Sequence, residues 1–369
     1  MLKENLIFFM PHMVGGGVEK NLYIIANDFA KKIANVYLIT SRTSFNNNFK
    51  NIKIINPKLK IWNYLGIRFN YLICLLILIR EILNKKKPLV FAFQANVYCI
   101  FVCKLLNVKI ITRSNSSPSG WTQNNFKNFI FKKIFLKADK IIVNSLEFKK
   151  EFKKKFNVKT VCIYNPLNKK EILHKSKDEM NLSFFKIKNK FKILNIGRFT
   201  YQKDHHTLLR SIKILRDKYS LNFVLLIMGR GINKNKIKLF IKKNNLSQHV
   251  KVIGFQKNPY KYIKHCNLFV LSSRFEGLPN VLLEAITLKK FVISSNCPTG
   301  PNEILNYGKG GLLFKTGNSN DLAKKIIYYY YNKKLLQRKI NFAYKNLYRF
   351  DYDKNLKKYF QIITGFFSP

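Results

Sequence analysis

Residues 268–288 read LFVLSSRFEGLPNVLLEAITL, and the order of elements inside them points to one architecture. Leu268–Leu271 is a short apolar run of the kind that forms a buried strand, and it passes into the loop Ser272–Gly277. Pro279 stands where a helix starts, since its fixed φ suits the first turn and its missing N–H is not needed there. The residues after it predict a helix over Pro279–Leu288. Strand, loop and helix in that order form the repeating unit of a parallel sheet, whose ligands meet the carboxyl ends of the strands.

The same unit recurs on both sides. Before it, strands are expected at Leu6–Met10, Val36–Thr40, Ile52–Ile55, Leu89–Phe93, Lys109–Thr112, Lys140–Val143 and Thr160–Tyr164. Helices are expected at Val18–Lys31, Tyr71–Leu83, Phe126–Leu136 and Ser145–Phe156. The alternation breaks in a polar, charged stretch after Asn165-Pro166. It resumes at Phe191–Ile196, Phe223–Met228, Val250–Ile253, Phe291–Ser294 and Leu312–Phe314. The expected class is α/β, with two doubly wound Rossmann-like domains facing a central cleft. Residues 1–168 form the first domain, 169–190 a linker, 191–345 the second domain and 346–369 a helical tail.

The chain is 369 residues long, and its 68 Lys and Arg against 18 Asp and Glu give a formal charge of +50. Apolar residues at 47% exclude a disordered basic tail, and a mean hydropathy of −0.14 excludes a polytopic membrane protein. The run Leu6–Met10 stops at Pro11, so no secretory signal is expected. Tyr71–Ile79 falls well short of the ~20 residues that span a bilayer and reads as a buried helix. Six cysteines show neither a disulfide framework nor a zinc pattern, which suits a reducing, cytoplasmic setting. The +50 charge has two sources open to it: base composition of the coding DNA, or a surface that seeks polyanions.

In so basic a chain the few acids are informative. Glu276 sits on the loop and Glu284 inside the helix that follows, whose first amides, at Asn280, Val281 and Leu282, suit a phosphate. Glu284 is placed to accept hydrogen bonds from sugar hydroxyls. In NIGRFTYQKD, the strand ends at Gly197, with Arg198 next and Lys203 five residues on, a pair able to clamp a diphosphate. Other glycine-bearing loops end strands: Gly15-Gly16-Gly17, Gly229-Arg230-Gly231 and Thr299-Gly300. Asp351-Tyr352-Asp353 reads as a helix cap and not a metal site, and the six histidines form no metal-binding pattern, so no metal and no cofactor are expected.

Together GGGVEK, GRFTYQKD, MGRG, GFQKN, SRFEGLPNVLLEA and PTGPNEIL resemble the retaining glycosyltransferases of family 4, which have the GT-B fold. That resemblance implies transfer of a hexose or N-acetylhexosamine from a nucleotide sugar, UDP-linked by likeness, to a lipid-linked saccharide in surface polysaccharide synthesis. Arg198, Lys203 and Glu276 would be catalytic. Gly16, Gly17, Gly197, Gly229, Arg230, Gly254, Gly277, Leu278, Pro279, Asn280, Val281, Leu282 and Glu284 would line the donor. Many relatives carry a histidine after the strand matching Lys109–Thr112. Here Arg113-Ser114-Asn115 stand instead, so Arg113, Asn115 and His12 are the candidates for acceptor or sugar contacts.

The Lys- and Phe-rich segments Phe126–Lys137 and Ser145–Phe156 have two readings. They are helices with lysines snorkelling over a core, or a face that lies on anionic lipid beside the acceptor, which places the protein on the inner face of the cell membrane. Two other functions stay open: a basic nucleic-acid-binding protein, for which no recognition motif is present, and a GT-B nucleotide-sugar epimerase.

Overall fold

The structure is a computed structural model that describes residues 1–41, 46–58, 66–115, 118, 121 and 124–367. The chain divides into two units, Met1–Pro166 with Tyr352–Pro369, and Leu167–Asp351.

In the first unit the order is β1 (Leu2–Phe9), α1 (Gly17–Phe29), β2 (Ile33–Ile39), β3 (Lys53–Ile55), α2 (Ile67–Leu83), β4 (Leu89–Ala92) and α3 (Asn96–Leu105). Then follow β5 (Ile110–Ser114), α4 (Asn125–Phe135), β6 (Lys140–Val143), α5 (Leu146–Phe156) and β7 (Val161–Cys162). Among the described residues its seven strands are all parallel, in the order β3-β2-β1-β4-β5-β6-β7. Both faces of the sheet are covered, so the central strands read as continuous apolar runs. Leu6 and Phe8 of β1 enter one core, with α1. Ile7 and Phe9 enter the other, with α2, α3 and α5.

The second unit begins with α6 (Lys169–Lys175) and α7 (Ser183–Lys186). It continues β8 (Phe191–Ile196), α8 (His205–Tyr219), β9 (Phe223–Met228), α9 (Lys234–Lys243), β10 (Val250–Ile253), α10 (Tyr260–His265) and β11 (Leu268–Leu271). The order closes with α11 (Asn280–Thr287), β12 (Phe291–Ser295), α12 (Pro301–Ile304), β13 (Leu312–Phe314), α13 (Ser319–Tyr331) and α14 (Lys333–Lys345). Among the described residues six parallel strands pair as β10-β9-β8-β11-β12-β13. The second unit is therefore the same architecture built again.

Four features differ from the sequence reading. Residues 169–190, expected as a linker, carry α6 and α7 and belong to the second unit. The tail does not stay with the second unit: α15 (Tyr352–Thr364) returns to the first, because Leu356, Tyr359 and Ile363 form one apolar stripe that completes the core beside α1. Pro279 is the N-cap of α11, which starts one residue later. Tyr71–Ile79, expected as a buried helix, is buried on one side only; Leu72 and Leu76 face solvent.

Tyr359 also does polar work. Arg113 is wholly buried in the first unit, and its Nε donates to the Tyr359 hydroxyl at 2.8 Å. One Nη donates to Asn165 at 2.6 Å, the other to Asn115, and the Phe93 ring lies 5.4 Å below. Arg113, a candidate sugar contact by sequence, is thus turned inward and taken up by its own unit. A buried cation left short of one acceptor is costly, so Tyr359→Phe is expected to destabilise the fold by about 2 kcal/mol. Urea unfolding measures this; an unchanged midpoint would show that the hydroxyl carries none of the load.

Candidate functional site

At the carboxyl ends of β8, β9, β11 and β12 in the second unit, four loops are held together mostly by backbone and hydroxyl contacts. A Cβ on Gly229 would lie 1.9 Å from the Gly197 carbonyl oxygen, so the loop after β9 rests directly on the loop after β8. Gly300, at φ +81°, holds a similar position: its Cβ would lie 2.2 Å from the Gly277 oxygen. Only glycine fits either place. Across the loops after β8 and β11, Arg274 N–H donates to the Gln202 carbonyl (2.8 Å). Gln202 Nε2 donates to the Phe275 carbonyl (2.9 Å), and the Ser272 hydroxyl to the Lys203 carbonyl (2.9 Å).

That frame brings two predicted site residues together. Lys203 Nζ lies 2.5 Å from Glu276 Oε1, and the Ser273 hydroxyl donates to the same oxygen at 2.6 Å. Both carboxylate and ammonium are largely withdrawn from solvent. The backbone of Glu276 is fixed as well, its carbonyl accepting from Thr299 Oγ1 at 2.5 Å. The aliphatic stem of Lys203 passes over Gly197, where an added Cβ would come 3.2 Å from Lys203 Cγ.

Arg198 stands apart. It is exposed, and among the described residues its guanidinium donates to the neutral side chain of Gln202, at 3.1 Å. Its charge is therefore uncompensated by any carboxylate ion pair recorded among the described residues. Arg230 is exposed too, with its guanidinium 4.8 Å from the centre of the Phe255 ring, next to Gly254. Glu284 is buried in α11, and Leu278 and Pro279 are buried where the loop enters that helix. Of the three amides expected to point at a phosphate, Leu282 N–H turns back to the Pro279 carbonyl (3.1 Å).

In the first unit Gly16 is the N-cap of α1 and Gly17 its first residue. Their loop is tied down by Glu19, whose carboxylate accepts from Val14 N–H at 2.9 Å. His12 donates its backbone N–H to Gln94 at 3.0 Å, and its ring Nδ1 lies 3.4 Å from Asn70 Nδ2. Asn115 Nδ2 donates to the Phe93 carbonyl at 2.8 Å. Among the described residues no cluster of three or more His, Cys, Asp or Glu has the geometry to hold a metal ion.

The sequence reading missed the positioning shell: Gln202, Ser272, Ser273 and Thr299. Serine, threonine and glutamine in loops carry no distinguishing sequence signal, and only the fold shows what they touch. It also missed His205, first residue of α8, which is buried edge-on against Phe199 with Nε2 unpartnered among the described residues.

Compared with known proteins, residues 176–346 match the family described as glycosyl transferases group 1. The chain is 38% identical over 251 residues to an uncharacterised glycosyltransferase of Methanocaldococcus jannaschii, covering 60% of this chain and 61% of that protein. It is 30% identical over 247 residues to the N-acetylgalactosamine-N,N'-diacetylbacillosaminyl-diphospho-undecaprenol 4-alpha-N-acetylgalactosaminyltransferase of Campylobacter jejuni, covering 64% and 63%. The chain thus spans about three fifths of the length of these curated relatives. Anabaena HepE, solved with UDP-glucose, superposes with a TM-score of 0.79 over 98% of this chain and 99% of that one, at 16% identity, a likeness of fold. The fold class is GT-B, and the match to the glycosyl transferases group 1 family lies within the second unit.

His205 gives this site a pH signature. Burial first, and then the Lys203 charge, push its imidazole down to about 4 from an ordinary 6.5. Between those values the unfolded chain binds a proton that the folded chain refuses, so stability falls as pH drops from about 6.5 to about 4 and levels off below. The loss is expected to approach 3 kcal/mol. In His205→Leu this part of the slope should vanish; thermal melts of both proteins across that range provide the check, and equal slopes would remove His205 as the cause.

Proposed function

We propose that the chain is a retaining, metal-independent glycosyltransferase. It moves a hexose or N-acetylhexosamine from a nucleotide sugar, UDP-linked, to a lipid-linked saccharide in surface polysaccharide synthesis, working at the cytoplasmic face of the membrane. The observation that carries this is the buried Glu276 carboxylate, gripped by Lys203 and Ser273 at the strand ends of a glycosyl transferases group 1 domain, with Arg198 exposed beside it.

The roles divide by charge. In glycosyl transfer the bond from the anomeric carbon to the nucleoside diphosphate breaks through an oxocarbenium-like state while the bond to the acceptor oxygen forms. Negative charge grows on the departing phosphate, and preorganised cations stabilise it. Arg198 is the cation with charge to give. Lys203 is already neutralised by Glu276, so its first role is to hold that carboxylate near the transferred sugar. Retention then follows from attack on the leaving-group face, with the acceptor proton passing to a phosphate oxygen.

Three likenesses support the substrate classes. The Campylobacter relative is named for a diphospho-undecaprenol acceptor, Anabaena HepE was solved with UDP-glucose, and an Erwinia amylovora relative is named for amylovoran biosynthesis. No observation favours the nucleic-acid or epimerase readings.

A thermal-shift screen against UDP, GDP and ADP, with EDTA present, is the first test. At about a hundred times its dissociation constant UDP should raise the melting temperature by a few degrees. That shift should be lost in Glu284→Ala. Arg198→Ala should lower transfer by about 10²–10³-fold with the fold intact, since an exposed side chain is removed and no buried charge is stranded. Lys203→Ala should also abolish transfer, but it strands the Glu276 carboxylate and so needs a stability control. Normal turnover in Arg198→Ala would sink the proposal.

A further inference from the structure

Helices α2, α3 and α4 pack side by side on one face of the first unit's sheet, and each turns a second apolar stripe outward. On α2 the buried stripe includes Cys74, Ile77 and Leu78, while Phe69, Leu72, Leu76 and Leu83 lie on the opposite side at three-, four- and seven-residue spacing. On α3, Cys99, Ile100 and Cys103 face the core, and Tyr98, Phe101 and Leu105 face away. Phe126 and Phe129 do the same on α4. These are large exposures: Leu105 is 75% exposed, Leu83 70% and Phe126 70%. Twelve of the 27 exposed large apolar side chains among the described residues fall between Ile67 and Leu136. Such clustering on neighbouring helices marks an interaction surface.

The charge around the stripes selects the partner. The three helices carry one carboxylate, Glu81, which is buried and engaged by Arg80 and Lys85. Arg68, Arg80, Lys127 and Lys133 are exposed among the apolar residues, and α5 beside them adds the exposed Lys149, Lys150, Lys153 and Lys154 against the partly exposed Glu147 and Glu151. Three helices that expose apolar side chains and cations and no carboxylate of their own complement anionic headgroups over hydrocarbon. No described helix is long and apolar enough to cross a membrane, so the helices would lie on the surface.

We infer that the outer face of α2, α3 and α4 is the membrane-docking surface, resting in the interface of an anionic bilayer with its Leu and Phe side chains inserted. This differs from the sequence reading, which placed the face on Phe126–Lys137 and Ser145–Phe156. The aromatic side chains of α5 (Phe148, Phe152 and Phe156) are fully buried, so α5 contributes lysines and the exposed Leu146 but no aromatic side chain. The inference deepens the membrane location proposed above but rests on exposure and charge alone.

Flotation of the purified chain with vesicles, in the absence of any nucleotide, tests it. The chain should float with phosphatidylcholine–phosphatidylglycerol vesicles and much less with phosphatidylcholine alone. High salt should weaken the binding without abolishing it. A triple variant, L76S/F101S/F126S, should lose about tenfold or more in binding to anionic vesicles. Its melting temperature and its UDP-induced shift should stay those of the parent. Failure of the parent to float, or equal flotation of the variant, would overturn the inference. So would a parent that is dimeric without lipid and monomeric once the three serines are introduced, because a second copy would then own the face. A UDP shift with no flotation leaves the transferase reading standing, and flotation with no UDP shift leaves the docking face standing.

Discussion

Backbone lying on backbone is the constraint from which the second unit's site follows. The carbonyl of Gly197 occupies the space where a side chain on Gly229 would sit, and the carbonyl of Gly277 does the same to Gly300. A parallel sheet delivers its loops to one edge, but it does not by itself bring them into contact. Two glycines close that gap, and the side-chain bonds that Ser272, Gln202 and Thr299 donate to backbone carbonyls lock it. Only then do a lysine from the loop after β8 and a glutamate from the loop after β11, 73 residues apart in sequence, come within 2.5 Å.

The ion pair so formed has little to do with holding the fold. Withdrawing both charges from water costs about what their attraction returns, and an apolar pair of equal volume would serve stability as well or better. What the pair secures is position: a carboxylate with one oxygen committed to an ammonium and a hydroxyl cannot swing away. Preorganisation of that kind stabilises developing charge without reorganisation during a reaction. Arg198 contrasts with it, exposed and bonded to a neutral amide.

Much of this was legible in the sequence, for a physical reason. Strands buried on both faces of a parallel sheet appear as unbroken apolar runs, and every expected strand exists, though β1 begins four residues earlier and β7 shrinks to Val161–Cys162. Boundaries move because pairing with a neighbour, not local composition, decides where a strand ends. The return of α15 to the first unit was not legible: its stripe of Leu356, Tyr359 and Ile363 announces an amphipathic helix but not which core it covers. Arg113 was misplaced for the same reason, since its buried partners lie 52 and 246 residues away. The loop glycines and Glu276 stand out in the sequence because chemistry restricts which residues can stand there, whereas Ser273 and Thr299 do not, because hydroxyls are common in loops of every function.

The charge of +50 is the least informative number in the sequence and the exposed leucines among the most informative. A bias in coding composition enriches lysine, isoleucine and phenylalanine wherever they are tolerated, so a basic surface alone argues for nothing. Such a bias acts on residue types and has no means of choosing one side of a helix. On α5 the phenylalanines point inward and the lysines outward, as folding alone demands. On α2 and α3 that rule is met by the inner stripe and then broken by an outer stripe at helical spacing, where leucine, phenylalanine and tyrosine stand in water. Folding gains nothing from those side chains, and solubility loses by them. Their arrangement on adjacent helices, with the one carboxylate those helices carry buried between cations, is what separates a surface with a partner from a surface that merely reflects composition.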